Sequence, residues 1–171
     1  MTQREAGGSG YPSPEQLIRQ HRNSLVNVLV LHGTAAERDQ IARVFHRESP
    51  VRGGPFIRVD CAREEESLRS ALRAWMTGMV REPGTNPLLG AGRGTLFLDA
   101  IDALSLSAQQ DVLNFWTRCL EPDEGASVHH WAGRLIVGSG VDLSEAVAAG
   151  RFLRALEECV DKVRIDLGPP A

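Results

Sequence analysis

The spacing of apolar residues changes repeatedly along the chain, and this change predicts an alternation of strands and helices. Short runs of apolar residues predict strands at 26–31, 55–60, 95–99, 134–139 and 162–167, and four of these runs have the continuous apolar character of strands covered on both faces. Apolar residues at three- and four-residue spacing predict helices at about 14–21, 35–47, 64–80, 107–121 and 143–160, the last broken near Gly150.

The alternation of strands and helices predicts an α/β fold. Strand, helix and strand in that order form a right-handed crossover, so we expect parallel strands with helices on both faces. We expect one domain over residues 14–171 and a flexible tail over residues 1–13, which are rich in glycine, serine and proline.

Composition restricts the class of protein without naming a partner. The 171 residues have a formal charge of −3 and scattered lysine and arginine, which argues against a nucleic-acid or membrane surface. Three cysteines without CxxC spacing indicate reduced thiols and no metal centre. No stretch has the pattern of a signal peptide or a membrane span, so we expect a cytoplasmic protein.

The turn after the first strand has the strand–turn–helix layout of a phosphate loop but different residues. Residues 32–39 read HGTAAERD, where a phosphate loop has GxxxxGK[ST]. Thr34 and Glu37 instead form the T-x-x-E pattern of a capping box, in which each side chain bonds the backbone N–H of the other residue. The helix dipole favours the Glu37 carboxylate at this position, and the carboxylate would repel a phosphate.

Four stretches resemble, in order, the AAA+ domain of sigma-54-dependent transcription activators: VLVLHGTAAERDQIARVFH, GGPFIRVDCA, GTLFLDAIDALSLSAQQDVL and RLIVGSGVDLSEAVAAGRF. The resemblance covers about residues 25–170. It implies a P-loop NTPase-like three-layer sandwich whose five-stranded parallel sheet has the strand order 5-1-4-3-2. It also implies a nucleotide site built from the first and third stretches.

The first stretch departs from the family's nucleotide loop at every functional position. The family's GESGTGKE places its glycines on His32, Ala35 and Glu37, and its phosphate-binding lysine on Arg38. Alanine and glutamate deny the space and the positive φ with which glycines let backbone N–H groups face a phosphate. We interpret Arg38 as a solvated surface arginine, because its planar fork differs from the point charge of lysine.

The third stretch keeps one of two expected carboxylates. Asp99 falls on the family's metal-side aspartate, but Ala100 stands where the family has the glutamate that activates water. We interpret Asp99 as hydrogen-bonded within the following turn, without Mg²⁺, and Asp102 in the same way. The degenerate site then consists of Gly33, Thr34, Glu37, Arg38 and Asp99, and we expect it to hold no cofactor and no metal.

Other functional parts of the family are also replaced. Its sensor asparagine falls on Gly140, and the arginines that reach into a neighbouring subunit fall on Leu153 and Cys159. Arg151 and Arg154 lie nearby, so an arginine finger displaced by one position stays open. The sequence has no GAFTGA motif, which in the family forms the loop that contacts the sigma factor, and we expect a domain without the family's C-terminal helical lid.

Aromatic residues supply the candidate surface for a protein contact. Core packing is the default for each of them, but the neighbours Phe115 and Trp116 cannot both face inward from one helix. Aromatic side chains are enriched in the parts of interfaces that contribute most to binding. The candidates are Trp75, Phe115, Trp116 and Trp131.

Three hypotheses on function follow. The first is a regulator without enzymatic activity that binds another protein and holds it inactive or retained in the cytoplasm, with no direct contact to nucleic acid or membrane. The second is a switch that binds a nucleotide without hydrolysing it. The third is an accessory or inhibitor of sigma-54-dependent activators. Self-association stays open under all three.

Overall fold

A parallel five-stranded sheet forms the centre of the computed structural model, which describes residues 12–78, 86, 88, 91–120 and 131–169. The strands are β1 (Val28–Leu31), β2 (Phe56–Asp60), β3 (Thr95–Asp99), β4 (Arg134–Ser139) and β5 (Val163–Asp166). Their order across the sheet is β2-β3-β4-β1-β5, and every pairing is parallel. This confirms the predicted strand order.

Helices cover both faces of the sheet, as predicted. The described helices are α1 (Pro14–His21), α2 (Ala35–Arg47), α3 (Glu65–Met76), α4 (Leu106–Leu120), α5 (Leu143–Ala148) and α6 (Arg154–Val160), with a short 3₁₀ turn (Ile101–Ala103) after β3. The first two pack on one face and the other four on the opposite face. The protein is therefore a three-layer α/β sandwich.

Alternating strand residues build two separate hydrophobic cores. Val28, Val30 and Phe97 pack with Phe45 of α2, whereas Leu29 and other strand residues face the four helices on the opposite side. This alternation is the period of two expected of strands, and in β1, β3 and β4 both faces are buried. It fixes which strand side chains point toward α2, the helix that borders the candidate site.

Predicted and observed boundaries differ most for the third helix. We predicted a helix to residue 80, but α3 ends at Met76, and Gly78 has a φ of +67°. Glycine adopts this left-handed conformation without strain and therefore terminates helices. The predicted tail lies mostly outside the described residues, and its last residue, Ser13, is the N-cap of α1, as its place before the predicted helix led us to expect.

Within the described ranges, none of the helices combines the length and the apolar character needed to cross a bilayer.

Candidate functional site

The turn between β1 and α2 contains the predicted capping box. The backbone N–H of Thr34 donates to Oε2 of Glu37 at 2.7 Å, and the N–H of Glu37 donates to Oγ1 of Thr34 at 3.2 Å. Hydrogen bonds to the carboxylate from the backbone N–H of Thr34, and secondly from the Thr34 side chain, lower the pKa of Glu37, because they stabilise its charged form. An internal carboxylate therefore occupies the N-terminus of α2.

Arg38 lies in the interior, which corrects the prediction that it is a solvated surface arginine. Its Nε donates to Oδ1 of Asp99 at 2.6 Å, and its Nη2 to Oδ2 at 3.4 Å. Arg38 is 6% exposed and Asp99 1% exposed. We predicted that Asp99 bonds within the following turn, and this is wrong. Asp99 instead forms a buried bidentate ion pair with Arg38.

The loop after β1 presents oxygen atoms to the same guanidinium. Nη1 of Arg38 donates to the backbone oxygens of His32 and Gly33, each at 3.0 Å. Both residues have positive φ, +62° and +61°. A Cβ on Gly33 would also lie 2.8 Å from Leu167, so glycine meets both a steric and a conformational requirement there.

A second arginine and a second aspartate extend this pair toward the surface. Nη2 of Arg58 lies 3.1 Å from Oδ2 of Asp99, and Nε of Arg58 lies 3.6 Å from Oδ1 of Asp39. The Arg58 side chain is 33% exposed, whereas that of Asp99 is 2% exposed. Arg38 is thus the buried partner of Asp99, and Arg58 is the partly hydrated one.

Gly138 of β4 leaves the space that the ion pair occupies. A Cβ at this position would lie closer than 3.0 Å to Oδ1 of Asp99 and 3.1 Å from Cδ and Nε of Arg38. Our prediction did not include Gly138 among the site residues. A glycine inside an apolar strand is a signal for such close approach.

The segment after β5 covers the loop. The N–H of Gly33 donates to the backbone oxygen of Gly168 at 3.1 Å, and the N–H of Leu167 donates to that of Leu31 at 3.0 Å. Nδ1 of His32 lies 2.7 Å from Oδ1 of Asp166. This contact lowers the pKa of Asp166, and the N–H of Gly168 contributes in the same direction.

The turn after β3 connects to the neighbouring strand. Oδ1 of Asp102 accepts hydrogen bonds from Oγ of Ser139 at 3.0 Å and from the N–H of Gly140 at 3.2 Å. Asp102 therefore joins the carboxyl ends of β3 and β4. Our prediction that its side chain bonds within the following turn is wrong. Ala100 has a φ of +53° and contributes no carboxylate.

Comparison with known proteins identifies the family. A family model described as the sigma-54 interaction domain matches residues 12–166. The chain belongs to the sigma-54 interaction domain family.

Curated relatives of this family member include proteins named as regulators. A Nif-specific regulatory protein of Azospirillum brasilense is 34% identical in an alignment of 152 positions that covers 83% of this chain and 24% of the relative. The chain spans about a quarter of the length of the curated relatives it matches.

Solved structures share the fold of this sigma-54 interaction domain. NtrX from Brucella abortus in complex with ATP has a TM-score of 0.72 at 23% identity, over 92% of this chain and 36% of that one. The P-loop NTPase domain of a sigma-54 transport activator from Escherichia coli has a TM-score of 0.60 at 19% identity, over 91% of this chain and 92% of that one.

The aromatic residues predicted as a protein contact lie mostly in the core of this sigma-54 interaction domain. Trp75 is 6% exposed, Phe115 1% and Trp131 5%, while Trp116 is half-buried at the edge of the same core. Their rings form successive edge-to-face pairs with centroid distances of 4.8 to 5.9 Å. Only Trp116 keeps partial exposure for a partner, because the others pack between α3, α4 and the sheet.

Proposed function

We propose that this sigma-54 interaction domain is a regulatory protein without enzymatic activity, which binds a partner protein and holds it inactive or retained. The observation that supports this proposal most is the Arg38–Asp99 ion pair. Arg38 stands at the position of the phosphate-binding lysine, and Asp99 at that of the metal-side carboxylate. Each is bonded to the other and buried, so neither is free for a nucleotide or Mg²⁺.

Two further features support the absence of hydrolysis. Glu37 places a carboxylate where the N-terminus of α2 would otherwise attract a phosphate. Ala100, at the position of the water-activating glutamate, has no group that accepts a proton, and loss of a general base costs on the order of 10² to 10⁴ in rate.

Binding of ATP and Mg²⁺ to the purified chain tests the first half of the proposal. We expect calorimetry to show no heat beyond dilution, and we expect the melting temperature to stay unchanged, because a ligand stabilises only in proportion to RT ln(1 + [L]/Kd). NtrX, which crystallises with ATP, provides the positive control. Micromolar affinity would favour the nucleotide-switch hypothesis, and hydrolysis above background would refute the proposal.

Reconstitution with a purified partner tests the second half. Cross-linking in native cells and mass spectrometry identify the protein bound, and the isolated partner is then assayed with and without this chain. We expect a stoichiometric complex in which the partner's activity falls. An active complex would contradict the proposal.

Family membership favours one specific alternative. A sigma-54-dependent activator found as the partner would assign the chain as an accessory or inhibitor of such activators. An unrelated protein would support the more general regulatory role.

A further inference from the structure

The position of the degenerate nucleotide site is lined with oxygen atoms that face a cation. The guanidinium of Arg38 contacts four of them: the backbone oxygens of His32 and Gly33 at 3.0 Å, and the two carboxylate oxygens of Asp99 at 2.6 and 3.4 Å. These contacts use four of the five N–H donors of an arginine side chain. These four oxygen atoms therefore form a site that favours a cation.

Three of the backbone N–H groups on which an anion would depend are already bonded. That of Gly33 donates to Gly168, that of Thr34 to Glu37, and that of Glu37 to Thr34. A phosphate at this turn would have to displace an internal carboxylate and a backbone carbonyl. These three N–H groups, like the backbone oxygens of His32 and Gly33, therefore have their partners within the chain.

The site is also enclosed, which strengthens its charge interactions. Arg38 and Asp99 are both buried, and Gly138 gives the ion pair its space on the β4 side. Removal of water raises the energy of a charge pair at contact distance, and it makes either charge costly to leave without its partner.

We propose that this set of four oxygen atoms is a guanidinium-binding site whose resident ligand is the chain's own Arg38. Removal of the Arg38 side chain exposes a site that binds a free guanidinium ion through the same four oxygens. This inference rests on the proposed function, because it assumes that the Arg38 side chain occupies the place where relatives would hold a nucleotide and Mg²⁺. The conformation of the turn between β1 and α2 is then fixed by the chain itself and does not respond to nucleotide or Mg²⁺.

Rescue of a variant by guanidinium tests this site directly. In the full chain, we expect Arg38→Ala to lower the melting temperature by about 10 °C, because Asp99 loses its buried partner. About 50 mM guanidinium chloride should then raise the melting temperature of the variant by about 3 °C, compared with the same concentration of sodium chloride. Wild type should show no increase.

Two variants establish where the guanidinium binds. Arg38→Ala combined with Asp99→Asn removes the carboxylate and should abolish the rescue. Arg43→Ala removes an exposed arginine from the same helix and should show no rescue. A folded Arg38→Ala protein that guanidinium does not stabilise overturns the proposal, as does equal rescue by Mg²⁺, which would indicate a site without selectivity for the planar ion.

A measurement on wild type keeps the test valid if Arg38→Ala does not fold. In ¹⁵N NMR spectra of arginine side chains, the buried Nε–H of Arg38, which bonds Asp99, should exchange slowly with water. Its chemical shift should stay the same when ATP and Mg²⁺ are added. Fast exchange would overturn the inference. ATP binding to wild type overturns the proposed function, whereas failed rescue without ATP binding overturns the guanidinium site alone.

Discussion

Two buried arginines lie at opposite ends of α2, and they are stabilised in different ways. Arg38, in the first turn, makes four hydrogen bonds, two of them to the Asp99 carboxylate. Arg134, 0% exposed at the start of β4, has one long bond of 3.4 Å to the backbone oxygen of Phe45 and lies 4.9 Å from the centroid of that residue's ring. Among the described residues, Nε and Nη2 of Arg134 have no hydrogen-bond partner.

The helix dipole explains why the two ends differ. The N-terminus of a helix repels a cation, so Arg38 needs a full counter-charge to remain buried there. The C-terminus attracts a cation through its unpaired carbonyls, and the face of Phe45 adds a cation–π contact. Burial still lowers the pKa of Arg134 to about 10. Of these two buried cations, the one that faces opposing dipoles has a counter-charge, whereas the one that faces favourable dipoles has only a carbonyl and an aromatic ring.

The largest expected effect is loss of the counter-charged arginine. Arg38→Met should lower the free energy of unfolding by about 3–5 kcal/mol, because it leaves Asp99 buried with only the partly hydrated Arg58. The double variant Arg38→Met with Asp99→Leu should recover most of this loss. Urea denaturation of both variants and of Asp99→Leu gives the coupling energy.

Arg43→Met is the control for this cycle, since Arg43 is an exposed arginine on the same helix. Its loss should cost less than about 1 kcal/mol. Equal costs for Arg38→Met and Arg43→Met would show that the buried pair contributes nothing special.

The second effect concerns the space for the pair. Gly138→Ala should destabilise by about 2 kcal/mol, because the added methyl group overlaps Asp99 and contacts Arg38. Gly140→Ala, two residues further along, is the matched control, since its Cβ would meet no atom within 4 Å. Similar denaturation midpoints for the two variants would argue against the tight packing described.

A smaller effect is expected at the other end of α2. Arg134→Met should cost no more than about 1 kcal/mol, because loss of the Phe45 contacts is offset by removal of a desolvated cation with two unpaired donor atoms. A loss as large as that of Arg38→Met, measured in the same urea titration, would contradict the contrast drawn between the two ends.

The smallest effect is a pH dependence located at the turn. Glu37 and Asp166 have pKa values below their ordinary 4.5 and 3.8 in the folded state, so the unfolded chain binds more protons as the solution is acidified. The stability they contribute is fully present above these ordinary values and is lost as pH falls through the lowered ones. Glu37→Gln with Asp166→Asn should flatten the fall in melting temperature below about pH 4.5; an unchanged slope would exclude this turn as its origin.

Local patterns in the sequence determined the fold and one half of the site. Apolar runs and helical spacing located the strands and most helices, because burial of both sheet faces requires that pattern. The capping box was also predictable, since its two residues are three positions apart and depend on no other element. The strand order, implied by the family resemblance, is confirmed by the structure.

Only the tertiary structure decided the charged half of the site. Arg38 and Asp99 are 61 positions apart, and their pairing depends on the register of β3, the position of α2 and the missing side chain of Gly138. A sequence pattern gives the polarity of a residue but not the counter-charge it meets after folding. For the same reason Arg38 was predicted at the surface and Trp75 at an interface, although both are buried.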